Sequence, residues 1–189
     1  MQKRLALIFP GIGYNMDKPL LHYARRIVTE ANYDVLIMPY VSKDFEDGRV
    51  TKAGVLRAYQ LCQTCLGKQE MKSYEEILLI GKSVGTLLAG MCISDLKERS
   101  RSELRFVMFT PLRPTFPYLK EQHVLALAGT RDPVITEEEL QSLAEQNEIP
   151  LKLYEGANHS LEVRGKPGRS VEILADIVRE FQGFISENE

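Results

Sequence analysis

Short runs of apolar residues alternate along the chain with longer stretches in which apolar residues recur every three or four positions. A short, nearly continuous apolar run is typical of a strand buried on both faces of a sheet, whereas the recurring spacing is typical of an amphipathic helix. The pattern predicts six strands: Leu5–Phe9, Asp34–Met38, Ile77–Ile80, Leu104–Phe109, Val124–Ala128 and Leu151–Tyr154.

Five helices are predicted between and after these strands. Thr136 and Glu139 have the spacing of a capping box and open the fourth of them. Regular strand–helix alternation implies right-handed crossovers and a parallel sheet covered on both faces. We therefore predict a single α/β domain over residues 1–189, a three-layer sandwich with about six parallel strands. The apolar positions of the helices lie within residues 20–31, 55–66, 84–92, 136–146 and 171–185.

Two polar loops interrupt this alternation. One is Val41–Arg49, after the second predicted strand, and the other is Leu112–Gln122, after the fourth. A parallel return usually takes a dozen or more residues, so the second loop is expected to have little room for a helix.

Composition narrows the classes of function. The 189 residues carry a net charge of -2, with 44% hydrophobic and 26% charged residues. This balance offers no basic field for nucleic acid and no cationic face for a membrane. Lys82 and Ser83 interrupt the longest apolar tract, and the tract after the basic start ends at Phe9, so neither a membrane span nor a secretory signal is expected. The odd count of three cysteines favours a reducing, cytoplasmic location.

The clearest motif is Gly81-Lys82-Ser83-Val84-Gly85, which has the form G-x-S-x-G. It follows a predicted strand and opens a predicted helix, the setting in which a serine projects from a tight, strained turn as a nucleophile. The Val84 N–H at the helix N-terminus could then stabilise a developing oxyanion. A glycine-rich turn with a bystander serine is the alternative interpretation of the motif alone.

A nucleophilic serine needs a base, and the base needs an orienting acid. Of the three histidines, His22 falls within the first helix and His123 begins the fifth strand, whereas His159 lies in the loop after the sixth strand. Asp132 follows the fifth strand. The carboxyl ends of parallel strands meet at one edge, where ligands bind in open α/β sheets. The chain order Ser83, Asp132, His159 is that of α/β-hydrolases.

The loop after the first strand is the expected source of a second oxyanion donor. Its small residues Gly11 and Gly13 let the backbone approach a carbonyl oxygen, and the Ile12 N–H is the predicted donor. Gly11-x-Gly13 is no dinucleotide fingerprint, because Met16 stands where the third glycine belongs. We expect no cofactor. No metal is expected either, because the chain has no second Cys/His pair to complete a zinc site with Cys62 and Cys65.

These motifs together resemble those of the α/β-hydrolase superfamily, in particular its compact lidless serine hydrolases, the dienelactone-hydrolase-like and small bacterial esterase branch. The resemblance covers almost the whole chain. It implies a family fold without its two leading strands and with the lid reduced to Leu112–Gln122. Pro10-Gly11 replaces the His-Gly of many relatives, and Lys82 replaces His or Gln before the nucleophile. The matching pieces are residues 9–13, 81–85, 129–132 and 156–159.

The resemblance implies a carboxylesterase-like or thioesterase-like hydrolase that forms an acyl-enzyme on Ser83. Without a lid, we expect an open site for a small-molecule substrate with a small or exposed acyl group. A non-catalytic binding protein on the same fold and an acyltransferase are the alternatives, and a homodimer is left open. The residues expected to line the site are Gly11, Gly13, Tyr14, Met16, Pro111, Leu112, Phe116 and Tyr118.

Two further features have competing interpretations. Cys62 and Cys65 are spaced like a redox pair, but Cys62 lies on the apolar stripe of a predicted helix, which favours core packing. Lys82 is interpreted as a solvated side chain, in preference to a cation that selects substrates carrying a carboxylate.

Overall fold

A computed structural model describes residues 3–45, 49–120 and 122–187 of the chain. All six predicted strands and all five predicted helices are present in it. The strands are β1 (Arg4–Phe9), β2 (Tyr33–Ile37), β3 (Glu76–Lys82), β4 (Glu103–Phe109), β5 (His123–Gly129) and β6 (Leu151–Tyr154). The helices are α1 (Pro19–Glu30), α2 (Lys52–Leu66), α3 (Val84–Arg99), α4 (Glu137–Gln146) and α5 (Pro167–Ser186).

The strands form one sheet in the order β2-β1-β3-β4-β5-β6, and every neighbouring pair is parallel. Two hydrophobic clusters cover its faces. One contains buried residues of α2, α3 and α4, and the other contains buried residues of α1 and α5. This arrangement confirms the predicted three-layer α/β fold. The order of connections reverses between β1 and β3, and a ligand crevice forms at such a reversal in open α/β sheets.

The two polar loops contain short 3-10 helices. Residues Arg113–Tyr118 form one, although little room for a helix was expected there. A 3-10 helix needs only three residues per turn and tolerates proline at its start, so one fits in this short connection. In the first loop, Ser42–Asp44 form one turn of 3-10 helix, and residues 46–48 lie outside the described residues. In the described ranges, no helix is both long enough and apolar enough to span a bilayer.

Candidate active site

Ser83 occupies a strained turn between β3 and α3. Its backbone has φ 55° and ψ -121°, a conformation that residues other than glycine rarely adopt. Gly85 lets α3 pack directly on β1, because a Cβ added at this position would lie 2.0 Å from the Phe9 carbonyl oxygen. A Cβ at Gly81 would lie 2.7 Å from Cα of Thr86. Both glycines of the motif are therefore required by close backbone approach.

Thr86 ties this turn to the segment after β4. Its hydroxyl donates to the Ser83 carbonyl at 2.7 Å and lies 2.8 Å from the hydroxyl of Thr115. It also accepts the Leu112 N–H at 3.3 Å. Sequence reasoning did not single out Thr86. A threonine in the first turn of a buried helix was the available signal, since its hydroxyl needs partners there.

The side chains of Ser83, His159 and Asp132 form a continuous hydrogen-bonded row. Ser83 Oγ lies 2.8 Å from His159 Nε2, and His159 Nδ1 lies 2.7 Å from Asp132 Oδ2. The other Asp132 oxygen accepts the Val134 N–H at 2.9 Å. The carboxylate is fully buried, whereas a quarter of the imidazole is exposed, at 25%. One end of the row is therefore fixed inside the protein and the other is open to a substrate.

The loop that carries His159 packs against the end of β5. A Cβ at Gly129 would lie 2.2 Å from the Ala157 carbonyl oxygen, which also accepts the Arg131 N–H at 2.9 Å. The side chain of Asn158 accepts the Ser160 N–H at 2.8 Å. These contacts hold His159 and Asp132 on adjoining loops at a fixed separation.

The other two histidines lie away from this row. His22 is half-buried on α1. His123 begins β5, at the opposite edge of the sheet, where its ring lies 4.7 Å from that of Phe184 and 3.4 Å from a carboxylate oxygen of Glu187. Both lie on the elements predicted for them, the first helix and the start of the fifth strand.

The loop after β1 packs against the backbone of the residue before Ser83. Gly11 and Tyr14 exchange two backbone hydrogen bonds, of 3.1 and 3.2 Å, that close a tight turn around Ile12 and Gly13. Gly13 has φ 67°, which suits glycine. A Cβ at Gly11 would lie 3.1 Å from the carbonyl oxygen of Lys82, the residue before Ser83. Val84 begins α3, and a helix's first N–H groups have no partner inside the helix.

Lys82 is buried, so the interpretation as a solvated side chain is wrong. Its exposure is 1%, and its Nζ donates to the Thr110 hydroxyl at 2.7 Å. Nζ also lies 5.0 Å from the centre of the Tyr14 ring. The alternation of β3 places Lys82 on the same face as Ile80, beneath α1 and α5. Burial lowers the pKa of Lys82 to about 7, opposed in part by attraction to Asp132.

The residues expected to line the site lie in two different places in the structure, one group after β4 and the other after β1. Leu112 and Phe116 are buried in the hydrophobic cluster beneath α3, and Tyr118 packs against α3 at Gly90. Pro111 is also buried. Tyr118 is 42% exposed, whereas the other three belong to the core and do not line an open site of the kind expected from the lack of a lid.

The expected lining residues after β1 have a different setting. Gly11 and Met16 line a cavity of about 670 Å³ at the carboxyl ends of β1 and β2. Tyr14 is buried, and its hydroxyl accepts the Leu20 N–H at 3.3 Å. Burial raises the pKa of Tyr14 to about 12, so the phenol stays neutral.

The cysteines are free thiols. Cys62 and Cys92 are buried and Cys65 is half-buried, so the core-packing interpretation is confirmed for Cys62. A hydrogen bond to Cys92 and burial both raise the pKa of the Cys62 thiol. Across residues 3–45, 49–120 and 122–187, no three His, Cys, Asp or Glu side chains are grouped as metal ligands would be.

Comparison with known families agrees with this geometry. The family described as the alpha/beta hydrolase domain matches residues 2–186 of the chain. The chain therefore belongs to the alpha/beta hydrolases. No curated protein matches it in a sequence search.

Solved structures share the fold at low sequence identity. An alpha-beta serine hydrolase homologue from Coxiella burnetii is 16% identical, with a TM-score of 0.67, and the match covers 94% of this chain and 84% of that one. A serine hydrolase without a lid from Xanthomonas campestris is 14% identical, with a TM-score of 0.64, over 98% and 82% of the two chains. An esterase from Pyrococcus furiosus is 17% identical, with a TM-score of 0.66, over 96% and 83%.

Proposed function

We propose that this hydrolase cleaves an ester or thioester of a small molecule through an acyl-enzyme on Ser83. The observation that carries the proposal is the row of hydrogen bonds of 2.8 and 2.7 Å that joins Ser83 to His159 and His159 to Asp132. Similarity to an esterase from Pyrococcus furiosus supports the same class of substrate.

In the first half-reaction, His159 Nε2 takes the hydroxyl proton of Ser83 as Oγ attacks the substrate carbonyl carbon. The Val84 and Ile12 N–H groups are the proposed donors to the oxyanion of the tetrahedral intermediate. When this intermediate collapses, the leaving group departs with the proton from His159, and the acyl group stays on Ser83.

In the second half-reaction, water takes the place of the leaving group. His159 accepts a proton from the water as its oxygen attacks the acyl carbon, and it then returns the proton to Ser83 Oγ as the carboxylic acid leaves. Asp132 accepts the Nδ1–H of His159 throughout. It thereby fixes the tautomer in which Nε2 is free to act as base, and it stabilises the imidazolium.

A fluorophosphonate probe tests the proposal, because it reacts only with an activated serine. We expect labelling of the wild type at Ser83, no labelling of Ser83→Ala, and a fall in kcat for p-nitrophenyl acetate of at least about 10³-fold in that variant. Ser186→Ala is the matched control, because that exposed hydroxyl only contacts carbonyls of its own helix.

Two outcomes would contradict the proposal. If Ser83→Ala hydrolyses the ester as fast as the wild type, the reaction does not pass through an acyl-enzyme on Ser83. A wild type that neither reacts with the probe nor turns over any ester would favour a non-catalytic binding protein. If alcohols added to an active enzyme yield new esters in place of the acid, acyl transfer replaces hydrolysis as the second half-reaction.

A further inference from the structure

An apolar cavity lies beside the loop after β1, residues 10–15. We call this loop the oxyanion loop, because it carries the proposed donor Ile12. The cavity has a volume of about 670 Å³ and is formed by the carboxyl ends of β1 and β2 and by the segments that follow them. Ligand sites for small molecules usually have volumes of roughly 300–1,000 Å³. Its apolar lining includes Met16, Ile37, Met38, Val41 and Phe45. We call it the β1–β2 cavity.

The wall of this cavity is shared with the site. Pro10 and Gly11 line the cavity and also form the turn that presents the Ile12 N–H. Gly11 in turn packs against the backbone of Lys82, the neighbour of Ser83, since a Cβ there would lie 3.1 Å from the Lys82 carbonyl oxygen. The cavity therefore shares part of its wall with the loop that carries the proposed oxyanion donor Ile12.

The strand order decides which part of a substrate faces the cavity. In the order β2-β1-β3-β4-β5-β6, the nucleophile follows β3, whereas Asp132 and His159 follow β5 and β6. The leaving group must face His159 Nε2, which protonates it. The acyl group must therefore leave the carbonyl carbon in another direction, and the β1–β2 cavity lies on the side of Ser83 opposite His159.

Two hydroxyl groups near the oxyanion loop are used within the protein, whereas the charged side chains of Asp17 and Lys43, which also line the cavity, are exposed. The Tyr40 hydroxyl donates to the Pro10 carbonyl at 2.6 Å, and the Ser42 hydroxyl accepts the Gly13 N–H at 3.0 Å. Apolar side chains also remain exposed on the cavity wall: Ile37 is 36% exposed and Val41 is 49% exposed. Covering them with an apolar group would remove this surface from water, which is favourable.

We propose that the β1–β2 cavity binds the acyl group of the substrate and that this group is an apolar chain longer than acetyl. The inference rests on the proposed function. It also changes the expectation of a small or exposed acyl group at an open site, because Leu112 and Phe116, two residues expected to line that site, are buried in the core.

The test compares p-nitrophenyl acetate, butyrate, hexanoate and octanoate. Each methylene buried in an apolar cavity favours binding by about fourfold. For the wild type, we expect kcat/KM to rise at least about 20-fold from acetate to hexanoate, since the cavity wall stays partly open to water. Fluorophosphonate labelling of Ser83 is measured in parallel as a readout that does not depend on chain length.

Two substitutions at the exposed Val41 test the cavity itself. Val41→Asp places a carboxylate on the wall, and Val41→Trp fills the space, so each should lower kcat/KM for hexanoate at least about tenfold while acetate stays within about threefold. Val171→Asp is the matched control, because Val171 is 65% exposed on α5, outside the cavity. It should leave the chain-length profile unchanged.

The possible failures are distinguishable. If Ser83 is labelled and acetate is hydrolysed, but the wild type shows no preference for longer chains, the cavity assignment is wrong and the proposed function stands. The assignment is also wrong if Val41→Asp affects acetate and hexanoate equally, or if Val171→Asp has the same effect. A wild type with neither labelling nor turnover overturns both.

Discussion

Replacing Lys82 by methionine removes a buried ammonium and leaves a side chain of similar length. In the folded protein, burial lowers the pKa of Lys82 to about 7 from its ordinary 10.5, with attraction to Asp132 acting in the opposite direction. The folded protein therefore holds this proton less tightly than the unfolded chain, by a free energy on the order of 5 kcal/mol. The charged form of Lys82 therefore destabilises the folded protein.

The sign of the pH dependence follows from which state binds more protons. Below about pH 7 both states keep the proton, and the wild type carries the full cost of a buried charge. Between about pH 7 and pH 10.5 the folded protein is neutral at Lys82 while the unfolded chain is still charged, so stability rises with pH. In Lys82→Met this contribution is absent.

Urea unfolding at several pH values between about 6 and 10, with a thiol reductant present, measures the difference. From about pH 7 to pH 10, the free energy of unfolding of the wild type should gain about 3 kcal/mol relative to that of Lys82→Met. Loss of the hydrogen bond to Thr110 changes the free energy of unfolding of the variant by the same amount at every pH. It therefore does not alter the pH dependence of that free energy. If the free energies of unfolding of the two proteins change with pH by the same amount, the reasoning is refuted. Lys43→Met, which removes an exposed lysine, is the control and should stay parallel to the wild type.

Three other predictions concern packing, the acid and the thiols. Gly85→Ala should lose roughly 3 kcal/mol or more in urea unfolding, because its Cβ would lie 2.0 Å from the Phe9 carbonyl oxygen, whereas the exposed helical Gly183→Ala should be neutral or slightly stabilising. Asp132→Asn should lower kcat by about 10³- to 10⁴-fold with an unchanged circular dichroism spectrum, because the tautomer of the base is no longer fixed; unchanged kcat would exclude the acid's role. Ellman's reagent should modify one thiol per native chain, at Cys65, and all three after unfolding, and rapid reaction of all three in the native state would contradict the buried placement of the other two.

The sequence predicted that Ser83, Asp132 and His159 lie close together, because local pattern and topology act together there. The apolar runs identify β3, β5 and β6, and parallel strands bring their carboxyl ends to one edge whatever the details of packing. Ser83, Asp132 and His159 follow those ends, so their proximity could be expected before any distance was known. The strained turn at Ser83 was also predictable, because the glycines that allow it lie close to the serine in the chain.

The burial of Lys82 could not be predicted in this way, because it depends on which elements cover that face. Period-2 alternation fixes the side of the sheet but not whether water reaches it, and here α1, α5 and the Tyr14 ring close over the ammonium. The same holds for the network of Thr86 with Thr115, whose partners are 29 residues apart in the chain.

By itself, then, the sequence determined the strands, the helices and the edge of the sheet at which Ser83, Asp132 and His159 meet, because periodicity and handed crossovers are local rules that every parallel α/β chain obeys. Only the tertiary structure decided what surrounds that edge. Placing β1 between β2 and β3 creates the β1–β2 cavity next to the oxyanion loop, and packing beneath α3 buries Leu112 and Phe116, which were expected to line the site. Both outcomes depend on contacts between segments distant in the chain, and no local pattern encodes those contacts.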